Sequence, residues 1–379
     1  MLHKEGYAEA QWVLTGGDQP IGNGAFEATL TTYYAEGGQI GDLPDFISND
    51  AIVEFADGGL YVPQAWPEWS ADDFRHLAGR PYAEVAFAVM RPFIGDAIPE
   101  PDFRRMVEEV YARFDHPAVT PLKQLDANQW LLELFHGPTL AFKDLAMQLL
   151  ARLIDWALER QDGYATIIGA TSGDTGGAAV EAFRGSRRAD LFILHPHGRV
   201  SEVQRRQMTT VTEPNVHNIA IEGTFDDAQA LVKAMFNDRA FRERNRLAGV
   251  NSINWARIMA QTVYYVTAAL ALGAPARKVS FAVPTGNFGD VFAGWVAKRM
   301  GLPIERLVIA TNINDILHRT LRTGRYEVTR VEPTASPSMD IQVSSNFERL
   351  LFEATGRDAG EVARLMQGLG QSGAFTVPA

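Results

Sequence analysis

The sequence predicts an α/β protein with mostly parallel sheets, and three observations carry that expectation. Past Pro121, short apolar or β-branched runs alternate with amphipathic helical stretches, most of them across turns bearing Gly, Pro or Asn, the pattern of successive β-α-β crossovers. Of the 379 residues, 46% are apolar and 21% charged, ordinary globular usage over a length that supports two domains with cores. No internal repeat or low-complexity tract points to a solenoid or a disordered chain.

Taken in order, residues 1–56 are glycine-rich and acidic with weak periodicity, and read as the strands and loops of an N-terminal segment. Residues 71–77, 82–90 and 102–114 carry apolar side chains at helical spacing with Pro and Gly between them, so 57–120 reads as a helical N-terminal domain. Beyond it, strands are expected at 130–135, 165–169, 191–194, 216–221, 279–283 and 307–311, and helices at 142–158, 175–184, 201–209, 225–236, 255–272 and 288–300. The Ser- and Pro-rich stretch 333–338 reads as a loop or a domain crossing. Ligands of such sheets sit beyond the carboxyl ends of the strands, where helix N-termini present free N–H groups and the positive end of the helix dipole.

The formal charge of −11 is unevenly spread: residues 1–60 hold ten acids and one base, Lys4, whereas 61–379 hold 36 acids and 34 bases. Without a Lys/Arg cluster the chain lacks an electrostatic footprint for a phosphate backbone, so no nucleic-acid partner is expected. The longest apolar run, 263–272, falls well short of the roughly 18 residues that a bilayer span needs, so no membrane partner is expected. The absence of an apolar leader, of an Asn-x-Ser/Thr site and of cysteine makes the cytoplasm the expected location. The missing thiols also remove disulfides, thiolate metal sites and cysteine nucleophiles.

Four segments place polar groups where ligands are expected. Thr285-Gly286-Asn287-Phe288-Gly289-Asp290 follows a strand and opens a helix; its glycines let backbone amides approach an anion, although a plain strand-to-helix turn has the same pattern. It is neither a Walker loop nor a dinucleotide fingerprint. Residues 169–177 gather the hydroxyls of Thr171, Ser172 and Thr175 with the carboxylate of Asp174, and read either as a binding loop for a carboxylate or phosphate or as a capped turn. Lys143 opens an apolar helix behind Leu140, Ala141 and Phe142, surroundings that favour the neutral amine of Schiff-base chemistry, although most lysines are merely solvated. Asn251-Ser252-Ile253-Asn254-Trp255-Ala256-Arg257 offers an oxyanion clamp or a capped helix with a surface arginine. His195-Pro196-His197 has no carboxylate at ligand spacing and reads as structural, so no metal is expected.

Together the lysine turn and the two glycine-bearing loops resemble those of pyridoxal-phosphate enzymes of the tryptophan-synthase-β fold type, fold type II. The set His136-Gly137-Pro138-Thr139, Phe142-Lys143-Asp144 and 251–257 is similar to that of the threonine synthase family, over about residues 57–375. The resemblance implies two open, mostly parallel sheets flanked by helices in 121–379, the smaller subdomain at about 160–275, preceded by an N-terminal accessory segment. It implies that Lys143 carries pyridoxal 5′-phosphate as a Schiff base beside Phe142, and that Gly286, Asn287, Phe288 and Gly289 cradle the cofactor phosphate, with Asp290 in the same loop. Asp174 then stands near the ring hydroxyl, Thr171, Ser172 and Thr175 hold the substrate carboxylate or phosphate, and Asn251, Ser252 and Arg257 contact the substrate phosphate.

The implied activity is a carbon–oxygen lyase reaction that turns O-phospho-L-homoserine and water into L-threonine and phosphate, with Lys143 taking the Cα proton, in a monomer or homodimer. Another lyase of this fold type acting on a phosphorylated or hydroxy amino acid, and an inactive binding protein of the same fold, are the alternatives. Residues 1–56 lack the family's Ser-Thr-Arg-Gly stretch, and no His-Thr-Ala motif, which in the family faces the pyridine nitrogen, occurs before Ala379. The family's C-terminal portion is therefore expected to be missing, with weak or no activity and lower stability than a full-length relative as the consequence.

Overall fold

The computed structural model describes residues 12–14, 60–63 and 65–378, so most of the strands and loops expected in 1–56 lie outside the described residues. In chain order, β1 (Trp12–Leu14) pairs antiparallel with β2 (Tyr61–Pro63), and helices α1 (Ala71–Leu77), α2 (Tyr82–Ile94) and α3 (Glu100–Tyr111) follow. The hairpin β3 (Leu122–Asp126) and β4 (Gln129–Leu132) leads to α4 (Asp144–Arg160), β5 (Ala165–Ala170), α5 (Asp174–Phe183), β6 (Ala189–Pro196), α6 (Glu202–Thr209) and β7 (Val216–Ile221). Next come α7 (Phe225–Asn237), α8 (Arg239–Asn245), β8 (Leu247–Ala248), α9 (Trp255–Ala271), β9 (Val279–Pro284), α10 (Gly289–Arg299) and β10 (Ile304–Ala310). The chain closes with α11 (Ile316–Thr323), β11 (Arg325–Glu327), α12 (Phe347–Ala354), α13 (Ala359–Ser372) and β12 (Ala374–Thr376).

Among the described residues, 100–257 form one compact unit and 12–14, 60–99 and 258–378 another. The first holds a parallel sheet in the order β7-β6-β5-β8. Its strands are apolar because both faces are covered: Ile167, Leu191 and Ile193 are almost fully buried, and Ile168 and Leu194 pack with Ala228, Val232 and Phe236 of α7. Strands β5, β6 and β7 progress to one side and β8 returns to the other, so the order reverses at β5, the place where open α/β sheets bind ligands. The second unit carries β9 and β10, parallel and joined through α10.

The strand expected at 130–135 pairs instead in the antiparallel β3–β4 hairpin, because a two-residue turn at Ala127-Asn128 closes it locally. The helical stretch 57–120 is divided, with α1 and α2 in one unit and α3 in the other, where the Tyr111 hydroxyl donates to the Leu145 carbonyl of α4 at 3.2 Å. The unit that holds the four-stranded sheet is accordingly wider than 160–275 at its start, and it ends within the first turn of α9. Helix starts follow their caps: Ser70 with Asp73 and Thr224 with Asp227 form capping boxes.

Candidate active site

The lysine turn belongs to the four-stranded unit. Its shape rests on Asp144, fully buried, whose carboxylate accepts from the Thr139 amide at 2.7 Å and the Thr139 hydroxyl at 2.9 Å. Burial raises the Asp144 pKa, and the two Thr139 bonds pull it back toward the charged form. A Cβ on Gly137 would come within 2.6 Å of Asp144 Cβ, so only glycine fits there. Leu140 is left-handed at φ 61 and 64% exposed, a strained conformation that brings the chain round to Lys143.

Lys143 is 9% exposed, lies with its Nζ 4.7 Å from the Phe142 ring centroid, and donates to Asp174 at 3.1 Å. The two residues are brought together from the residue before α4 and the first residue of α5. The counter-charge is a feature that spacing alone did not show. A cavity of about 420 Å³ opens beside this pair, lined by Thr139, Phe142, Asp174, Ser201, Gln204 and Gln207 among others.

Three of those residues were missed from sequence. Ser201 caps α6, Gln204 donates to Asp174, and Gln207 donates to the Thr139 carbonyl at 2.9 Å. The i, i+3 spacing of the two glutamines, which puts both amides on one face of a helix, is the signal that was available.

Thr171 is 2% exposed, and its hydroxyl accepts from the Gly173 and Gly176 amides at 2.9 and 2.8 Å. The capped-turn reading therefore holds for Thr171, which shapes the loop, while Ser172 and Thr175 are half-buried in the same turn. In 251–257, the Asn254 side chain accepts from the Ala256 amide at 2.9 Å and starts α9. Arg257 is not the surface arginine of the simpler reading: it is 2% exposed and donates to the Val250 carbonyl at 3.0 Å. Asn251 is exposed and Ser252 half-buried. His195 is buried in β6, which pushes its imidazole below the ordinary value, and exposed His197 lies 3.0 Å from Glu222. Among the described residues no group of three His, Asp or Glu could hold a metal ion.

The glycine turn belongs to the other unit. Thr285 donates to the Ala310 carbonyl at 2.8 Å, Phe288 turns left-handed at φ 66, and α10 begins at Gly289 with its first amides unspent on helix bonds. The Asp290 carboxylate, in the same turn, accepts the hydroxyls of Tyr264 and Tyr265, which ties α10 to α9. Burial first, and then Asp290, raise both phenols well above their ordinary pKa.

A shielded primary amine beside a cavity-lining carboxylate fits a carbonyl cofactor held as a Schiff base, and a glycine turn at a helix start fits a phosphate group. The family model described as pyridoxal-phosphate dependent enzyme matches residues 114–369, and that is the family to which the chain belongs. A second model, threonine synthase N terminus, matches residues 51–111, beginning a few residues before the stretch that looked familiar in sequence. The chain is 58% identical over 322 residues to the threonine synthase of Pseudomonas aeruginosa, covering 85% of this chain and 69% of that protein. It is 45% identical over 356 residues to the Saccharomyces cerevisiae enzyme, covering 86% and 69%. The crystal structure of a pyridoxal-phosphate-bound threonine synthase from Brucella melitensis superposes with a TM-score of 0.88 at 59% identity, covering 98% of this chain and 75% of that one. No helix among the described residues is long and apolar enough to cross a membrane.

Proposed function

We propose that this protein converts O-phospho-L-homoserine and water into L-threonine and phosphate, with Lys143 as its central residue. The observation that carries the reading is the Lys143 amine beside Asp174 at the edge of the cavity, in a chain this similar to threonine synthases. Pyridoxal phosphate, when bound, supplies an electron sink for the charge that develops at the substrate Cα.

Lys143 Nζ holds the cofactor through its carbonyl carbon and, once released, takes the proton from the substrate Cα. Asp174 orients that amine from 3.1 Å and is itself fixed by Gln204. Gly286, Asn287, Phe288 and Gly289 hold the cofactor phosphate with backbone amides, and Phe142 lies against the lysine. Ser172 and Thr175 bind the substrate carboxylate in the turn that Thr171 shapes, and Asn251, Ser252 and Arg257 bind the substrate phosphate and stabilise it as it leaves. The reading extends to a cytoplasmic monomer or homodimer acting on a free amino-acid phosphate, which a cysteine-free chain without a basic cluster supports.

The purified protein, supplied with pyridoxal phosphate and O-phospho-L-homoserine, is expected to release threonine and phosphate in equal amounts. Lys143→Ala is expected to lose both products along with the visible absorption band of the lysine-bound cofactor. Phosphate release without threonine would favour another lyase.

A further inference from the structure

The glycine turn is held from behind by a segment that no sequence motif marked. The Ser344 hydroxyl donates to the Gly286 carbonyl at 2.6 Å. The Asn287 carbonyl accepts from the Asn346 amide at 3.0 Å and from Asn346 Nδ2 at 3.1 Å. In a trans peptide the C=O and N–H point in opposite directions. Two carbonyls drawn to the 344–346 side therefore leave the Asn287 and Phe288 amides facing the other way.

We propose that Ser344 and Asn346 are positioning residues for the cofactor phosphate, aiming the Asn287 and Phe288 amides by holding the carbonyls of the same peptide planes. The inference rests on the reading that this turn holds the phosphate. Both residues are themselves fixed. Ser344 is 4% exposed, and its amide donates to the Tyr326 hydroxyl at 2.8 Å, with the Tyr326 ring stacked on Phe347 and Phe375. Asn346 is fully buried and its Oδ1 accepts from Arg349, which also donates to the Tyr61 carbonyl at 2.8 Å.

The near side of Gly286 is closed by Ser338 and Ile341, and that strand of chain is anchored by Asp340, which accepts from Asn312 at 2.8 Å and the Thr334 hydroxyl at 2.7 Å. A glycine peptide rotates easily when its carbonyl is released, and rotation would turn an amide donor away and bring a carbonyl oxygen toward the anion. Positioned donors matter most where the ligand group is a dianion.

The experiment compares pyridoxal phosphate with pyridoxal, which lacks the phosphate, in titrations of apoprotein followed by the absorption of the lysine-bound cofactor. Ser344→Ala and Asn346→Asp are each expected to weaken pyridoxal phosphate by about five- to tenfold while leaving pyridoxal within about twofold. Ser344→Thr, which keeps a hydroxyl, is expected to retain most of the preference. Equal weakening of both ligands would mean a merely structural role and overturn the proposal. If Gly286→Val abolishes the preference while Ser344→Ala and Asn346→Asp leave it intact, the positioning role fails and the phosphate reading stands. If Gly286→Val leaves it intact as well, the phosphate reading itself falls. Should Asn346→Asp not fold, Ser344→Ala against Ser344→Thr decides the question alone.

Discussion

The lysine turn and the glycine turn each place one non-glycine residue in the left-handed region, Leu140 at φ 61 and Phe288 at φ 66, and then use it differently. Leu140 is 64% exposed, whereas Phe288 is 5% exposed with its ring edge-on to Phe347, 5.4 Å away. Around Leu140 the polar groups are side chains: Thr139, Asp174 and Gln204 line a cavity, and Lys143 donates to Asp174. Around Phe288 the donors are backbone amides, and the side chains of Ser344 and Asn346 are occupied with the carbonyls. A site made of side chains is broken by replacing the residue that reacts. A site made of backbone is broken by replacing residues that touch no ligand.

The sharpest way to break this contrast is Lys143→Arg, which keeps a cation for Asp174 and cannot form the Schiff base. Phosphate release from O-phosphohomoserine should fall by at least about 10³-fold, and a rate near that of the parent would show that charge alone suffices. Next, Phe288→Gly relieves the left-handed strain but removes a buried ring; denaturant unfolding should show a loss of about 3 kcal/mol.

The Asp290 tyrosines give a smaller, pH-dependent effect. Burial and Asp290 hold both phenols protonated in the fold, while in the unfolded chain they ionise near pH 10, so stability fully present below about pH 10 is lost progressively as pH rises from there toward the raised folded pKa. Melting temperature should therefore drop between about pH 9 and 11, and less steeply in Tyr265→Phe. The smallest effect is expected for Leu140→Gly, where strain relief and added chain entropy oppose each other and stability should move by less than about 1 kcal/mol. A Leu140 loss as large as that of Phe288 would erase the distinction between the two turns.

The same distinction governs what the sequence disclosed. Lys143, Asp174 and the 285–290 loop stood out from the sequence through the resemblance that they carry together, each being ambiguous alone, and the apolar runs of β5 and β6 come from burial on both sheet faces. For Thr171 and Asp290 the sequence did not disclose their internal partners, the Gly173 amide and the Tyr265 hydroxyl, because a hydroxyl or carboxylate at a helix start suits amides, phenols or a ligand equally well. The residue type does not reveal which. Ser344 and Asn346 stayed hidden for another reason: their partners lie 58 and 59 residues earlier in the chain, and no local pattern encodes that meeting. The hairpin at 122–132 was missed because its polar first strand lacks the apolar alternation on which strand reading depends.

Arg349 joins α12 to the Tyr61 carbonyl across 288 positions of sequence. The unit it belongs to is discontinuous, with residues 100–257 inserted into it. On the ribosome the inserted unit emerges whole and can close its sheet while the later segment is still being made, so the two units mature at different times. The backing of the glycine turn is completed only after residue 349 has left the exit tunnel, and until then the Tyr61 carbonyl lacks the Arg349 donor. Order of synthesis thus makes the backing of the glycine turn a late step in building this protein.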